Sequence, residues 1–213
     1  MMVTDQFASE SAMTTDTENL IKRAISGDVL AREELLRRYG NRLKKLVAVR
    51  MDARLSKRID PSDVVQDTLL TAEKRLEEFL ENPTVPMYTW LRSMALDRLA
   101  DLYRRHVVAQ RRSVTREHPW AQAISNASEM LLAAQLQGTS STPSQHLMRD
   151  ELIRRVRNLL GRMEDVDREI IIMRHLEGMK IGEIASVLQM PEGTVKSRHF
   201  RALTEMRRIL FEE

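Results

Sequence analysis

The chain contains no cysteine among its 213 residues. That excludes disulfides, and with them a small stapled fold, and it excludes thiolate metal sites. Aromatic residues are scarce, at 4%. A broad sheet core is therefore not expected, because strands favour aromatic and β-branched side chains. No apolar run approaches the ~20 residues needed to span a bilayer, so no membrane role is expected. The first 16 residues lack the basic start and apolar stretch of a secretory signal and read as a short disordered tail. The five histidines (His106, His118, His146, His175 and His199) show no metal-ligand spacing. There is also no phosphate-cradling Gly-rich loop and no nucleophile elbow. The expectation is a protein that is not an enzyme and holds neither cofactor nor metal.

What the chain has is charge, 31% of its residues, with a net of only +3. The distribution matters more than the sum. From Arg98 to Arg116 there are Arg98, Arg104, Arg105, Arg111, Arg112 and Arg116 against Asp101. From Lys196 to Arg208 there are Lys196, Arg198, Arg201, Arg207 and Arg208 against Glu205. Local basic stretches let a near-neutral chain grip phosphate backbones; solvated helix faces are the plainer alternative.

Helical patterns fill residues 17–112 and resume from 146 to 213. Between them, 113–145 includes the small polar run Gly138 to Ser144, which reads as a linker. The expected fold is all-α: two small helical domains joined by a flexible linker, the second a helix-turn-helix domain. In the first domain Leu35, Tyr39, Leu43, Leu46 and Val47 recur at helical spacing. Asp60-Pro61-Ser62-Asp63 is a helix start, with Asp60 as cap, Pro61 in the first turn and Asp63 near the positive end of the dipole. Val65, Leu69, Ala72, Leu76 and Phe79 form the apolar stripe that follows. Asp63, Asp67, Leu70 and Lys74 lie on the opposite face, with Gln66 at its edge. Leu70 there is either an ordinary exposed leucine or the apolar centre of a partner-binding face. Pro83 and Pro86 then break the chain. A further helix starts at Met87, with Leu91, Ala95 and Leu102 on one side. Trp90 is expected at the core or its edge, or as a stacking surface for an unpaired base.

The C-terminal segment has the pattern of a helix-turn-helix. Ile181, Ile184, Ala185 and Leu188 give the first helix a buried face, and Gln189-Met190-Pro191 is the turn. Val195, Ala202, Met206 and Ile209 form the inward stripe of the second helix. Its outer face presents Gly193, Thr194, Ser197, Arg201, Thr204 and Arg208, flanked by Lys196, Arg198 and Phe200. Hydroxyls and an arginine suit base edges, cations suit phosphates, and a glycine permits close backbone approach in a major groove.

These residues carry a resemblance. Pro191 to Ala202 looks like the recognition helix in region four of sigma-70 family factors of the extracytoplasmic-function (ECF) type. Asp167 to Ile171 and Ile181 to Ala185 resemble the earlier helices of that region. Asp63-Val-Val-Gln66-Asp67 is similar to the region-two motif by which such factors hold the clamp helices of RNA polymerase. Trp90-Leu91-Arg92, Ala95 and Asp101 to Arg105 resemble the promoter-melting helix. The resemblance implies a sigma factor that binds core polymerase and directs promoter-specific initiation. Its sites would be Asp63, Gln66, Asp67 and Leu70 for polymerase. For −10 DNA they would be Asn82, Trp90, Arg98, Arg104 and Arg105. For −35 DNA they would be Gly193, Thr194, Lys196, Ser197, Arg198, Phe200 and Arg201. The implied partners are core RNA polymerase and double-stranded and melted promoter DNA, and the family also admits an anti-sigma factor. The implied location is the cytoplasm, at the nucleoid when polymerase-bound. Two departures stand out. Asp97 replaces the common Asn, and Gln189 replaces the Gly common at the turn, where a positive φ is often wanted. A helix-turn-helix regulator that acts without polymerase is the alternative.

Overall fold

The computed structural model describes residues 17, 19–52, 54–108, 132 and 145–211. Most of the expected linker and the whole expected tail fall outside them. All regular structure among the described residues is helical.

Helix α1 covers 19–25. Helix α2, Val29–Arg50, starts where Asp28 accepts the Ala31 amide at 3.1 Å. Helix α3, Pro61–Glu81, starts at Asp60, whose carboxylate accepts the Ser62 amide at 2.7 Å. Both caps satisfy amides that the first helical turn leaves without partners. Helix α4, Met87–Tyr103, begins after Pro86 and ends in a π-helical turn, Arg104–Val108. These helices pack on one another through α2, α3 and α4. The core takes Leu35, Leu43, Leu46 and Val47 from α2 and Leu91, Ala95, Leu99 and Leu102 from α4.

The α3 stripe is rotated from the expected one. Val64, Val65, Thr68, Ala72, Leu76 and Leu80 are buried, while Leu69 and Phe79 are half-buried. A helix packed between two partners, α2 and α4, buries a wider arc than a single stripe. The buried Thr68 hydroxyl costs little, because it donates to the Val64 carbonyl at 2.7 Å.

The second set of helices is α5, Gln145–Arg162; α6, Asp165–Ile171, running into a π-turn at Ile172–Leu176; α7, Ile181–Leu188; and α8, Glu192–Phe211. Helix α8 packs against α5, α6 and α7. Val195, Ala202, Met206 and Leu210 are its buried residues, with Ile209 half-buried. The turn before it uses a left-handed Gln189, φ 53° and ψ 43°, at the position where glycine was expected to be wanted. That conformation costs an L-residue about 1–2 kcal/mol. A Cβ at Gly182 would lie 2.9 Å from Glu192 Oε1, the far end of a flexible, exposed side chain at the start of α8.

The two sets touch. Helix α4 contacts α7, and α2 contacts the π-turn at Ile172–Leu176. Ile170, Met173, Met179 and Ile184 join the same apolar cluster as the α2–α4 core. Val49 of α2 is buried with Leu132, Val156 and Met206.

Candidate nucleic-acid and polymerase interfaces

Helix α8 displays the expected outer face. Gly193, Thr194, Lys196, Ser197, Phe200, Arg201, Thr204 and Arg208 are all exposed. Phe200 keeps 71% of its surface in solvent, a large apolar residue aimed away from its own core. Ser197 Oγ donates to the Gly193 carbonyl at 2.9 Å, which leaves its lone pairs for a ligand. Lys196 lies 3.7 Å from Glu192, and Arg208 is paired with Glu205 at 2.7 Å.

Arg198 is placed differently. Its Nη1 donates to Glu164 at 3.0 Å and to Asp167 at 2.8 Å, so its guanidinium ties α8 to the start of α6. Next to it, His199 Nε2 lies 2.9 Å from His175 Nε2, with the ring centroids 5.1 Å apart and the planes 20° from parallel. Burial pushes His175 down to about 4, and His199, Arg174 and Arg207 add to that in turn. His199 is lowered by burial and then by Arg174. With both rings lowered below the ordinary histidine value, a neutral pair near pH 7 can share an N–H···N bond, one ring donating and the other accepting.

On α3, Asp63 and Gln66 are exposed and Leu70 is 57% exposed, surrounded by polar residues. Asp67 is half-buried and accepts Arg98 Nη2 at 2.5 Å. One residue expected to face polymerase thus holds one expected to face DNA. The two line a shallow α3–α4 groove with Leu70, Lys74, Asp97 and Asp101. Trp90 is half-buried and stacked on Phe79, centroids 4.4 Å apart and planes 13° from parallel. Asn82 is exposed just past the end of α3. Arg104, paired with Asp101, and Arg105 are exposed on the π-turn that extends α4.

The comparisons with known proteins decide the family. Residues 153–206 match the family described as Sigma-70, region 4. The ECF RNA polymerase sigma-E factor of Haemophilus influenzae is 30% identical over 183 residues, covering 86% of this chain and 89% of that protein. The chain belongs to the ECF RNA polymerase sigma factors. RNA polymerase sigma factor CnrH of Cupriavidus metallidurans is 29% identical over 193 residues, covering 90% of this chain and 92% of that one. The solved structure of CnrH in complex with the cytosolic domain of CnrY matches at 25% identity and a TM-score of 0.47, over 91% of this chain and 96% of that one. This sigma factor serves promoter-specific transcription initiation, with a helix-turn-helix in its region four. No described helix is long and apolar enough to cross a membrane.

Sequence reasoning missed a set of arginines and glutamates between the two helical sets. Arg50 Nε donates to Glu177 Oε1 at 2.7 Å, and Arg92 Nε donates to Glu177 Oε2 at 2.8 Å. The other nitrogens of Arg50 reach Glu169 at 2.9 and 2.8 Å. Arg42 makes a bidentate pair with Glu183 at 2.9 and 2.7 Å and lies 3.6 Å from the centroid of the Tyr88 ring. The Glu177 side chain is 0% exposed and that of Arg50 1%. Burial by itself pushes the Glu177 carboxyl up, but Arg50 and then Arg92 outweigh it and hold it ionised. A signal was present in the sequence. Arg50 falls three and four residues after Val47 and Leu46, and Arg92 sits four after Tyr88 and three before Ala95. Both cations therefore lie in the apolar register of their helices.

Proposed function

We propose that this sigma factor binds core RNA polymerase through α3 and reads its promoter through two separate helices. Residues 17–112 act as region two and 146–213 as region four, with 113–145 as linker. The clamp helices of polymerase meet Asp63, Gln66, Asp67 and Leu70, a face with an apolar centre and a charged rim. The loop with Asn82 and the helix with Trp90, Arg98, Arg104 and Arg105 engage −10 DNA as it melts. Helix α8 lies in the major groove at −35. There Arg201, Thr194 and Ser197 reach base edges, Phe200 meets a thymine methyl or sugar, and Lys196 meets phosphate. Arg198 supports this face by fixing α8 on α6 rather than by contacting DNA first. The protein works in the cytoplasm at the nucleoid, and an anti-sigma factor fits as a regulator.

The observation that carries the reading is the split of α8. One side is packed with Val195, Ala202 and Met206, while the other is open with Arg201 and Phe200 at its centre. A helix serving only its own core needs no 71%-exposed phenylalanine beside an exposed arginine. In-vitro transcription with core polymerase and a genomic promoter library tests it. Specific initiation that depends on both Leu70 and Arg201 is the expected result. Unchanged initiation and unchanged promoter selectivity after Arg201→Ala would remove the −35 assignment.

A further inference from the structure

Between α2 and α3 the chain makes a compact loop, 51–60, that carries cations outward on an apolar anchor. Met51 and Leu55 are buried. The amides of Leu55 and Ser56 donate to the Asp52 carbonyl at 2.9 and 3.0 Å, and those of Arg58 and Ile59 donate to the Leu55 carbonyl at 2.9 and 3.0 Å. These bonds hold the backbone in a defined shape. Both acids of the loop serve the fold: Asp52 accepts the Arg54 guanidinium at 3.0 Å, and Asp60 caps α3. Arg54, Lys57 and Arg58 are exposed.

The loop is joined to the far end of α4. Arg54 Nη2 donates to the Tyr103 hydroxyl at 2.7 Å, and its guanidinium carbon lies 5.5 Å from the centroid of the Tyr103 ring. Tyr103 is followed by the exposed Arg104 and Arg105. Two elements distant in sequence thus bring their cations to one end of the N-terminal unit, where Arg104 already holds Asp101. We propose that the α2–α3 loop is a further DNA-binding element, with Lys57 and Arg58 on the phosphates of the duplex that adjoins the melted −10 element on its −35 side.

Given the −10 assignment above, on which this placement rests, the length of α4 selects duplex rather than melted DNA. Asn82 and Trp90 lie at the start of α4. Arg104 comes 14 residues after Trp90, about 21 Å along a helix that rises 1.5 Å per residue. That length spans about six base pairs, at about 3.4 Å each. The far end of α4 therefore lies beyond the bases that Asn82 and Trp90 hold. The chain leaving that end leads to the unit proposed to read −35, so it is the upstream end. Lysine and arginine on a loop outside the grooves meet phosphate, which carries no sequence information directly. The loop adds affinity and salt dependence, not base selectivity.

The test uses the full chain in holoenzyme with core polymerase. Two DNAs are compared: the melted −10 strand joined to its upstream duplex, and the melted −10 strand alone. Core polymerase should capture Lys57→Gln/Arg58→Gln as well as it captures the unaltered protein. On the duplex-bearing DNA the double variant should lower the log–log salt slope by about 1.8, at ~0.9 per phosphate contact. Raising salt from about 50 to about 200 mM should then cost the unaltered holoenzyme about tenfold more affinity than it costs the variant. On the melted strand alone the two should bind equally. The charge-keeping swap Lys57→Arg/Arg58→Lys should restore the full slope. Lys57→Gln alone should give half the change, and it decides the matter if the double variant lowers helicity. An unchanged slope on the duplex-bearing DNA, or an equal deficit on both DNAs, would overturn the loop as a duplex contact. Failure of the unaltered holoenzyme to bind the melted strand would instead remove the −10 assignment, and the placement of the loop with it.

Discussion

The histidine pair makes the stability of the DNA-reading helix depend on pH. The Nε2 atoms of His175 and His199 lie 2.9 Å apart, hydrogen-bond distance for a pair in which one ring donates and the other accepts. Adding a proton to each ring leaves no acceptor between them and places two cations beside Arg174 and Arg207, which already oppose charge on His175. The folded pKa of His175 is about 4, below the ordinary 6.5. The unfolded chain therefore binds protons first as pH falls. The stability is fully present above pH 6.5 and is lost progressively towards pH 4. At pH 5 the linkage integral for this one shift is about 2 kcal/mol. The ring is only half-buried, and solvent screening reduces that to about 1 kcal/mol, or a fall in Tm of about 2–4 °C for a chain of this size. His199 on α8 ties this loss to the seating of the recognition helix, so −35 affinity should fall with it. The assay is thermal unfolding at pH 7.5 and pH 5, compared with His175→Phe, which keeps an aromatic ring at the position but cannot titrate. Carboxylates titrate equally in both proteins and cancel in the comparison. An equal loss in both between the two pH values would refute the reasoning.

Other outcomes follow from the same geometry. Asp63→Lys with Leu70→Ala should abolish capture of core polymerase without changing helicity, because both side chains are exposed; undiminished capture would remove the α3 site. Asp67→Lys should in addition weaken −10 binding, because it strips Arg98 of its 2.5 Å partner; the measure is promoter opening by the assembled holoenzyme. Arg201→Ala should cost ~1–3 kcal/mol at the preferred −35 sequence and relax selectivity at one position. Arg208→Ala should weaken all sequences alike and lower the salt slope by roughly one unit, and a uniform loss with Arg201→Ala would make that residue a phosphate contact. Gln189→Gly should raise stability by about 0.5–1 kcal/mol, as relief of the left-handed penalty exceeds the extra chain entropy; a lowered Tm would show that the Gln189 side chain contributes more than its backbone costs.

The sequence by itself determined whatever depends on neighbours along the chain. Asp60 caps a helix because a short carboxylate can reach an amide two residues on. Pro83 and Pro86 separate α3 from α4 because proline cannot continue the ladder. The 3.6-residue period placed Val195, Ala202 and Met206 inside and Arg201 outside, since a helix fixes which residues share a face. Even the odd position of Leu70 was visible as an apolar residue on the wrong side. The tertiary structure decided whatever depends on residues distant in sequence. Arg98 turns to Asp67, 31 residues away, and Arg198 turns to Asp167 on another helix. No periodicity could choose between these partners and a phosphate, because a guanidinium on a helix face can serve either. The clearest case is Arg50, 127 residues from Glu177. Its place in an apolar register marked it as unusual. A charge enters a core only where its counter-charge is delivered there, and the packing of the second helical set against the first delivers Glu177.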